Sequence, residues 1–222
     1  MNKCFAFFLL LTAGFFNVLQ AQTQHSYQED IGTIRNYDKI YAPPENPILF
    51  IGSSSIRKWD DLERVFSHYV VLNRGFGGAE LNDVTYFAED IIFPYHPRQI
   101  IIYAGENDLP DEVTTADSVL ARFKNLYACI RAKLPVVPIV YISIKPSPVR
   151  ERFFEKAQAA NKLIAGFLAG EQNTRFLDLY SLMLDKSKRP RKELFVGDML
   201  HMNRKGYAIW EAAVKPYLLE PR

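Results

Sequence analysis

The stretch that most constrains the fold is a short apolar run that ends abruptly in a glycine and three serines. Residues Ile48–Gly52 include no polar side chain, prolines precede them, and Ser53–Ser55 follow directly. A continuous apolar run of this length is typical of a β-strand covered on both faces. In open α/β sheets, ligands lie just beyond the carboxyl ends of the strands. A serine there, on a turn that leads into a helix, can be surrounded by backbone N–H groups and act as a nucleophile.

Further apolar runs alternate along the chain with stretches of helical spacing. The runs predict four more strands, at residues 69–73, 99–104, 137–143 and 174–179. The helical spacing predicts helices at residues 27–40, 57–66, 81–91, 116–133, 154–170 and 207–217. Strands that alternate with amphipathic helices pair in parallel through right-handed crossovers. The sequence therefore predicts an α/β fold, a three-layer α/β/α domain around a five-stranded parallel sheet of the flavodoxin-like kind.

The first residues are typical of an export signal rather than of the fold. A basic start at Met1–Lys3 precedes a nearly unbroken apolar run from Phe5 to Phe16, and a polar stretch follows Ala21. This apolar run is too short for a membrane-spanning helix, which needs roughly 20 residues, but it suits a secretory signal. We predict a signal peptide at residues 1–21 and one domain at 22–222. The mature protein would then be exported to the periplasm or medium of a bacterium, without stable membrane insertion.

Composition argues against several classes of partner and cofactor. The chain has 222 residues and a formal net charge of +2, with no basic tract that would attract nucleic acid. Cleavage after the signal would remove Cys4 and leave Cys129 alone, so we expect no intramolecular disulfide. Cys129 lies on the apolar side of a predicted helix, which indicates a buried, unreactive thiol. Nothing in the composition predicts a metal site or a cofactor.

The predicted topology distinguishes between the histidines. His68 and His96 precede the second and third strands, at the amino end of the sheet, and His25 lies in the tail after the signal. Only His201, which follows the fifth strand, can reach the edge where the serines emerge. Asp198 comes three residues earlier and could accept the Nδ1–H of His201, leaving Nε2 to face a serine hydroxyl. The alternative is a helix-capping aspartate beside a surface histidine.

Two other strand ends offer hydrogen-bond donors to the same place. Gly77–Gly78 follow the second strand and can expose a backbone N–H, although a turn that needs positive φ would also explain them. Asn107 follows the third strand and can present its side-chain amide, although it could simply cap a helix. Donors, nucleophile and base that converge from four loops predict an acyl-transfer site.

These residues resemble the four sequence blocks of the SGNH (GDSL-type) hydrolases, in the same order. The blocks are Gly52–Ser55, Asn73-x-Gly75-x-Gly77–Gly78, Gly105-x-Asn107–Asp108 and Asp198-x-x-His201. The resemblance implies that Ser54 is the nucleophile, His201 the base and Asp198 its orienting acid. It also implies an oxyanion hole formed by the N–H groups of Ser54 and Gly78 and by the Asn107 side chain.

One position departs from the family pattern. Ser53 stands where the family usually has an aspartate, a variant that resembles bacterial proteins related to platelet-activating-factor acetylhydrolases. The implied activity is hydrolysis of carboxylic esters through an acyl-enzyme. The alternatives are a thioesterase or acyltransferase with the same triad, and a non-catalytic module that binds carbohydrate or lipid. A classical α/β-hydrolase is excluded because G-x-S-x-G would require a second glycine at position 56.

Three loops would determine the substrate: residues 106–115, 145–152 and 180–197. Because they mix basic and acidic residues, we expect a polar mouth and a short acyl group, such as acetyl, on a polar alcohol or sugar. The alternative is an apolar slot lined by Phe153, Phe154 and Trp59. The candidates for substrate contact are Arg57, Glu106 and Asp108. The substrate could be a small-molecule, glycan or lipid ester, and the oligomeric state stays open.

Overall fold

A computed structural model describes residues 27–221. The predicted signal peptide and His25 lie outside these residues. The chain divides into two compact units between Tyr41 and Ala42. In the first unit, the described residues form helix α1 at 27–40, as predicted, and Ile31 is buried. The single domain at 22–222 stays a prediction.

The second unit is built on a five-stranded sheet whose strands all run parallel. The strands are β1 (Ile48–Gly52), β2 (Val71–Gly75), β3 (Gln99–Tyr103), β4 (Ile139–Ile142) and β5 (Thr174–Leu177). Their order across the sheet is β2-β1-β3-β4-β5. Every residue of β1, β3 and β4 is buried, because helices cover both faces. The predicted fold class is confirmed.

The helices form one layer on each side of the sheet. They are α2 (Ser54–Arg57), α3 (Leu62–Val65), α4 (Leu81–Tyr86), α5 (Ala88–Ile91), α6 (Ala116–Lys133), α7 (Phe154–Ala169) and α8 (Arg204–Val214). Helices α2, α3 and α8 pack on one face, and α4, α6 and α7 pack together on the other. No helix within residues 27–221 combines the length and the apolar character that a membrane span requires.

Several predicted elements differ from the structure in their bounds. The predicted helix at 81–91 is divided into α4 and α5, the last helix spans Arg204–Val214 rather than 207–217, and β4 and β5 are shorter than predicted.

In two further elements, burial of a side chain outweighs continuation of the helix or strand. The predicted helix at 57–66 is divided into α2 and α3, and a turn between them buries Trp59. Strand β2 begins two residues later than predicted, because Tyr69 closes a short 3₁₀ turn and Val70 adopts a left-handed φ of 52°.

An aromatic cluster joins the end of β1 to the last helix. Trp59 makes edge contacts with Phe50, Phe66 and Trp210, at ring-centroid distances of 6.0, 5.5 and 6.0 Å. The ring of Tyr207 lies 5.4 Å from that of Trp59, and its hydroxyl donates to the carbonyl of Ser55. Such aromatic pairs add about 0.5–1.5 kcal/mol each beyond their buried area. The cluster therefore fixes α8, and the turn that precedes it, against the serine-bearing end of β1.

Candidate active site

The turn after β1 places Ser54 at the first position of helix α2. Gly52 has a φ of 129°, and a Cβ at this residue would lie 1.8 Å from the carbonyl oxygen of Tyr103 on β3. That same oxygen accepts the backbone N–H of Ser53 at 2.9 Å. Only glycine permits this close approach, because any side chain would collide with the neighbouring strand. The turn is thus held against β3 while Ser54 stays partly exposed beyond it.

Asn73 fastens the same turn to β2 from the other side. Its side-chain amide donates to the carbonyl of Ile56 at 2.7 Å, and its side-chain oxygen accepts the N–H of Gly75 at 3.0 Å. A Cβ on Gly75 would lie 2.6 Å from the backbone nitrogen of Arg57. The second sequence block therefore supports α2 through an asparagine and a glycine that permit close contact.

The turn at residues 196–201 folds around the carboxylate of Asp198. One carboxylate oxygen accepts the backbone N–H groups of Leu200, at 2.9 Å, and His201, at 2.8 Å. Met199 adopts a left-handed φ of 55°, and the carbonyl of His201 accepts the N–H of Val196 at 2.9 Å. These bonds fix the backbone of His201 before α8 begins.

The side chains of Ser54, His201 and Asp198 form a continuous hydrogen-bonded relay. His201 Nδ1 lies 2.6 Å from Asp198 Oδ2, and His201 Nε2 lies 2.9 Å from Ser54 Oγ. An ionised carboxylate only accepts hydrogen bonds, so Nδ1 carries the proton and Nε2 is left to accept from the serine hydroxyl. The His201 side chain is 16% exposed and that of Asp198 is 45% exposed. The imidazole is therefore shielded while its carboxylate partner faces solvent.

The hydrogen bonds to Asp198 keep it ionised. Its partial desolvation acts to raise the pKa of the carboxyl, but the bonds from the His201 ring and from two backbone N–H groups outweigh this effect. The pKa of Asp198 consequently lies well below its usual range. The carboxylate is thus an acceptor for Nδ1–H throughout the neutral pH range.

Two of the three predicted oxyanion donors, Gly78 and Asn107, lie on loops that flank Ser54. Strand β1 lies between β2 and β3, so the loops that follow these neighbours meet on either side of the serine turn. Gly78 has a φ of 76° and is exposed, and the next residue, Ala79, accepts a 3.0 Å hydrogen bond from Asn107 Nδ2. This bond joins the loop after β2 to the loop after β3, and the Asn107 amide carries a second N–H.

Two of the three substrate-contact candidates need correction. Glu106 and Asp108 are 3% and 0% exposed. Their carboxylates accept hydrogen bonds from other groups of the protein. Asp108 accepts from Arg122 at 2.7 Å and from the N–H of Leu81 at 3.2 Å. Both carboxylates point inwards because neighbouring donors compensate for their burial there. Arg57 is exposed at the end of α2 and stays a candidate.

Two buried polar residues after β4 were missed by the sequence-based prediction. Lys145 and Ser147 are 2% and 0% exposed, although they lie in a loop predicted to line the pocket mouth. Both contact Glu106 through their side chains. A lysine two residues beyond Ser143, at the end of an apolar run, was the available signal, because a lysine next to the core is buried only when it is paired.

Within residues 27–221, no group of three or more histidine, cysteine or acidic side chains could hold a metal ion. The relay lies at the carboxyl edge of the parallel sheet, beside the point where the strand order reverses. The model of the GDSL-like lipase/acylhydrolase family matches residues 51–209, which is most of the chain. The chain belongs to this family. Among curated proteins, no significant match was found.

Solved structures with the same fold come from several bacteria. A Streptococcus pneumonia protein, provisionally described as a platelet activating factor, has a TM-score of 0.77 at 21% identity, over 91% of this chain and 99% of its own. A GDSL-like lipase from Bacteroides thetaiotaomicron has a TM-score of 0.69 at 20% identity, over 85% and 96%. A family 3 carbohydrate esterase from Clostridium thermocellum has a TM-score of 0.62 at 14% identity, over 79% and 98%. At these sequence identities, the similarity to the solved structures shows a shared fold and nothing more.

Proposed function

We propose that this protein is a serine esterase that cleaves short-chain carboxylic esters. The observation that carries the proposal is the relay from Ser54 Oγ through His201 to Asp198, with hydrogen bonds of 2.9 and 2.6 Å. Ester hydrolysis through a serine acyl-enzyme uses a serine hydroxyl, a neutral imidazole within reach and an acid that orients it. Membership of a lipase/acylhydrolase family supports the same reaction class.

In the proposed mechanism, Ser54 Oγ attacks the ester carbonyl carbon while His201 Nε2 takes the hydroxyl proton. Asp198 stabilises the imidazolium that forms and keeps Nε2 directed at the reacting atoms. The tetrahedral intermediate expels the alcohol, which receives the proton from His201. Water then attacks the acyl-enzyme with His201 as base and releases the acid.

The negative oxygen of each tetrahedral intermediate needs donors that are in place before the reaction. We assign this role to the backbone N–H groups of Ser54 and Gly78 and to the side-chain amide of Asn107. The bond from Asn107 to the carbonyl of Ala79 supports this assignment, because it holds two of the donor loops together. Removing one such donor typically lowers kcat by about 10²–10³.

The proposed substrate class is a short acyl group, such as acetyl, on a polar alcohol or sugar. Exposed charged residues at the carboxyl edge, such as Arg57, favour a polar leaving group over a long lipid chain. The shared fold of a carbohydrate esterase is consistent with a sugar ester. The proposed partners are thus small-molecule or glycan esters.

The test is hydrolysis of p-nitrophenyl acetate, butyrate and octanoate by the mature protein and by Ser54→Ala. We expect the wild type to prefer acetate, and the variant to lose roughly 10⁶-fold in kcat. A fluorophosphonate probe should label the wild type at Ser54 and leave the variant unlabelled.

The neighbouring serines provide matched controls, because they lie in the same turn outside the relay. Ser53→Ala and Ser55→Ala should keep both the labelling and most of the activity, since the bonds of these residues to Tyr103 and Tyr207 come from their backbones. Equal hydrolysis by wild type and Ser54→Ala would exclude Ser54 as nucleophile. A wild type that binds sugar esters but neither cleaves them nor reacts with the probe would instead be a binding module.

A further inference from the structure

A buried ion pair lies beside the relay but takes no part in the proposed chemistry. The side chains of Lys145 and Glu106 are 0% and 4% exposed, and they contact each other directly. The hydroxyl of Tyr103 donates to the same carboxylate oxygen at 2.7 Å. Ser147 donates to the other oxygen of Glu106. We call these three residues, Glu106, Lys145 and Ser147, the clamp.

Stability alone is a poor reason for a protein to bury such a pair. Removing two charges from water opposes folding, and an apolar pair of similar volume often stabilises a protein as well or better. Burial indeed lowers the pKa of Lys145, against the opposing effect of Glu106. A buried ion pair is better explained where it specifies one arrangement of the segments that it joins.

The clamp joins the loop that follows β3 to the loop that follows β4. Glu106 immediately precedes Asn107, the proposed oxyanion donor, whereas Lys145 and Ser147 follow β4. A carboxylate held by three separate donors has little freedom to move. The position of the Asn107 backbone is therefore tied to the loop after β4.

The loop after β4 in turn contacts the turn that carries His201. The N–H of Val149 donates to the carbonyl of Met199 at 3.2 Å, and Ser147 Oγ lies 3.4 Å from the carbonyl oxygen of Leu200. Ser147 donates its hydroxyl proton to Glu106, so its approach to Leu200 is a packing contact, while the N–H of the Leu200–His201 peptide is bound by Asp198. The Asp198 charge also acts on Lys145.

We propose that the clamp positions His201 relative to Asn107, so that the distance between the base and the oxyanion donor stays fixed. This inference rests on the proposed function, and it assigns Glu106, Lys145 and Ser147 as positioning residues that touch no substrate. Displacement of a reacting group by about 1 Å can lower a rate by about 10². Loss of the clamp therefore acts on kcat rather than on KM.

The first test compares Ser147→Ala and the double variant Glu106→Gln/Lys145→Met with the wild type. The double variant removes both charges together, because a single substitution would leave one buried charge unpaired and could prevent folding. We expect kcat for p-nitrophenyl acetate to fall by about 10- to 100-fold in each, with KM changed less than about 3-fold.

Ser143→Ala is the matched control. Ser143 is a second fully buried serine after β4, but its hydroxyl accepts the N–H groups of Leu179 and Tyr180 and does not contact the clamp. This variant should lose stability without losing kcat in the folded fraction. Equal loss of kcat in Ser143→Ala and Ser147→Ala would overturn the proposal.

A second readout does not depend on ester hydrolysis. The Nδ1–H proton of His201, in its short bond to Asp198, should give a far-downfield proton NMR resonance in the wild type. We expect this resonance to shift or broaden in both clamp variants and to stay unchanged in Ser143→Ala. An unchanged resonance and wild-type kcat in the folded double variant would refute the clamp. A wild type inactive towards esters, with the resonance still moved by the clamp variants, would refute the esterase and support the clamp.

Discussion

Gly52 ends β1 where the sheet leaves no room for a side chain. Its φ of 129° disfavours other residues, and a Cβ at this position would lie only 1.8 Å from the Tyr103 carbonyl oxygen. A larger residue must push β1 away from β3 or break the bond from Ser53 to that carbonyl. The backbone at this one position therefore connects strand pairing with the placement of Ser54.

We expect Gly52→Ala to lower the free energy of unfolding by about 3 kcal/mol, since it adds both backbone strain and a collision. Urea denaturation measures this change. Gly166→Ala is the control, because a Cβ there meets nothing within 4 Å on helix α7 and should stabilise the protein by about 0.5–1 kcal/mol. Equal stability of wild type and Gly52→Ala would contradict the packing described.

Asp198→Asn should lower kcat by about 10⁴ while leaving the fold intact. The asparagine oxygen can still accept the N–H groups of Leu200 and His201, but its NH₂ would face Nδ1 and force the proton onto Nε2. Nε2 could then no longer accept the proton of Ser54.

Steady-state kinetics with p-nitrophenyl acetate checks this expectation. Asp185→Asn is the control, since Asp185 also accepts backbone N–H groups in an exposed turn, but away from the relay. A kcat in Asp198→Asn within 10-fold of wild type would show that the relay needs no carboxylate.

At the scale of elements, three carboxyl groups lie near one arginine where the start of α4, the loop after β3 and helix α6 meet. Arg122 on α6 donates to Asp108 at 2.7 Å and to Glu80 at 3.0 Å. Asp83 completes the group by accepting the N–H of Glu80. Burial raises the pKa of Glu80, Asp83 and Asp108, although Arg122 acts to lower each of them. These groups hold α4 and α6 against the loop that carries Asn107.

The raised pKa of Asp108 predicts a particular pH dependence of stability. The folded protein binds this proton more tightly than the unfolded chain, whose aspartates have a pKa of about 3.9. The contribution of Asp108 to the free energy of unfolding is therefore fully present below about pH 4, and it is lost as the pH rises through the higher pKa of the folded state. Asp108→Asn should make this decline in the free energy of unfolding shallower.

Urea denaturation at several pH values between about 2 and 7 tests this prediction, because the contribution of a carboxyl with a lowered pKa changes below about pH 4. Asp111→Asn gives the opposite comparison, since hydrogen bonds from Thr114 and Val113 lower the pKa of that exposed carboxyl. Replacing the Asp111 carboxyl should eliminate the increase in the free energy of unfolding that this group contributes as the pH rises. Parallel curves for wild type and Asp108→Asn would show that Asp108 does not titrate differently on folding.

For the whole molecule, the sequence predicts an exported chain that folds without a disulfide. Cys129 is the free cysteine within the described residues, and it is partly exposed rather than fully buried as expected. Desolvation nevertheless raises the pKa of its thiol, which keeps it in its less reactive form. Cys4 lies in the predicted signal peptide.

We expect the protein purified from the periplasm of a bacterial host to begin at Gln22, and its Tm to be the same with and without reductant. Intact-mass spectrometry and thermal denaturation measure the two quantities. A mass that retains Met1 would contradict the signal peptide. A Tm lowered by reductant would indicate a disulfide.

The fold and the relay could be predicted because their determinants are local. Apolar runs and helical spacing predicted the parallel sheet, and the position of each histidine before or after a strand selected His201. Parallel strands bring their carboxyl ends to one edge, so order along the chain was sufficient to place the serine turn, Asn107 and His201 at that edge. The choice of Ser54 among the three serines came from the resemblance to the family, and the structure brings its hydroxyl to His201.

The roles of Glu106, Asp108 and Lys145 were decided only by the tertiary structure. Whether a charged loop residue faces solvent or a buried partner depends on groups far away in the chain, here Arg122 and Ser147. The break between α2 and α3 has the same cause, since burial of Trp59 against α8 outweighs a local helical pattern. Sequence determined which segments meet at the carboxyl edge because local patterns set the alternation of strands and helices, and this alternation makes the strands parallel. Long-range packing determined which side chains at that edge point inwards.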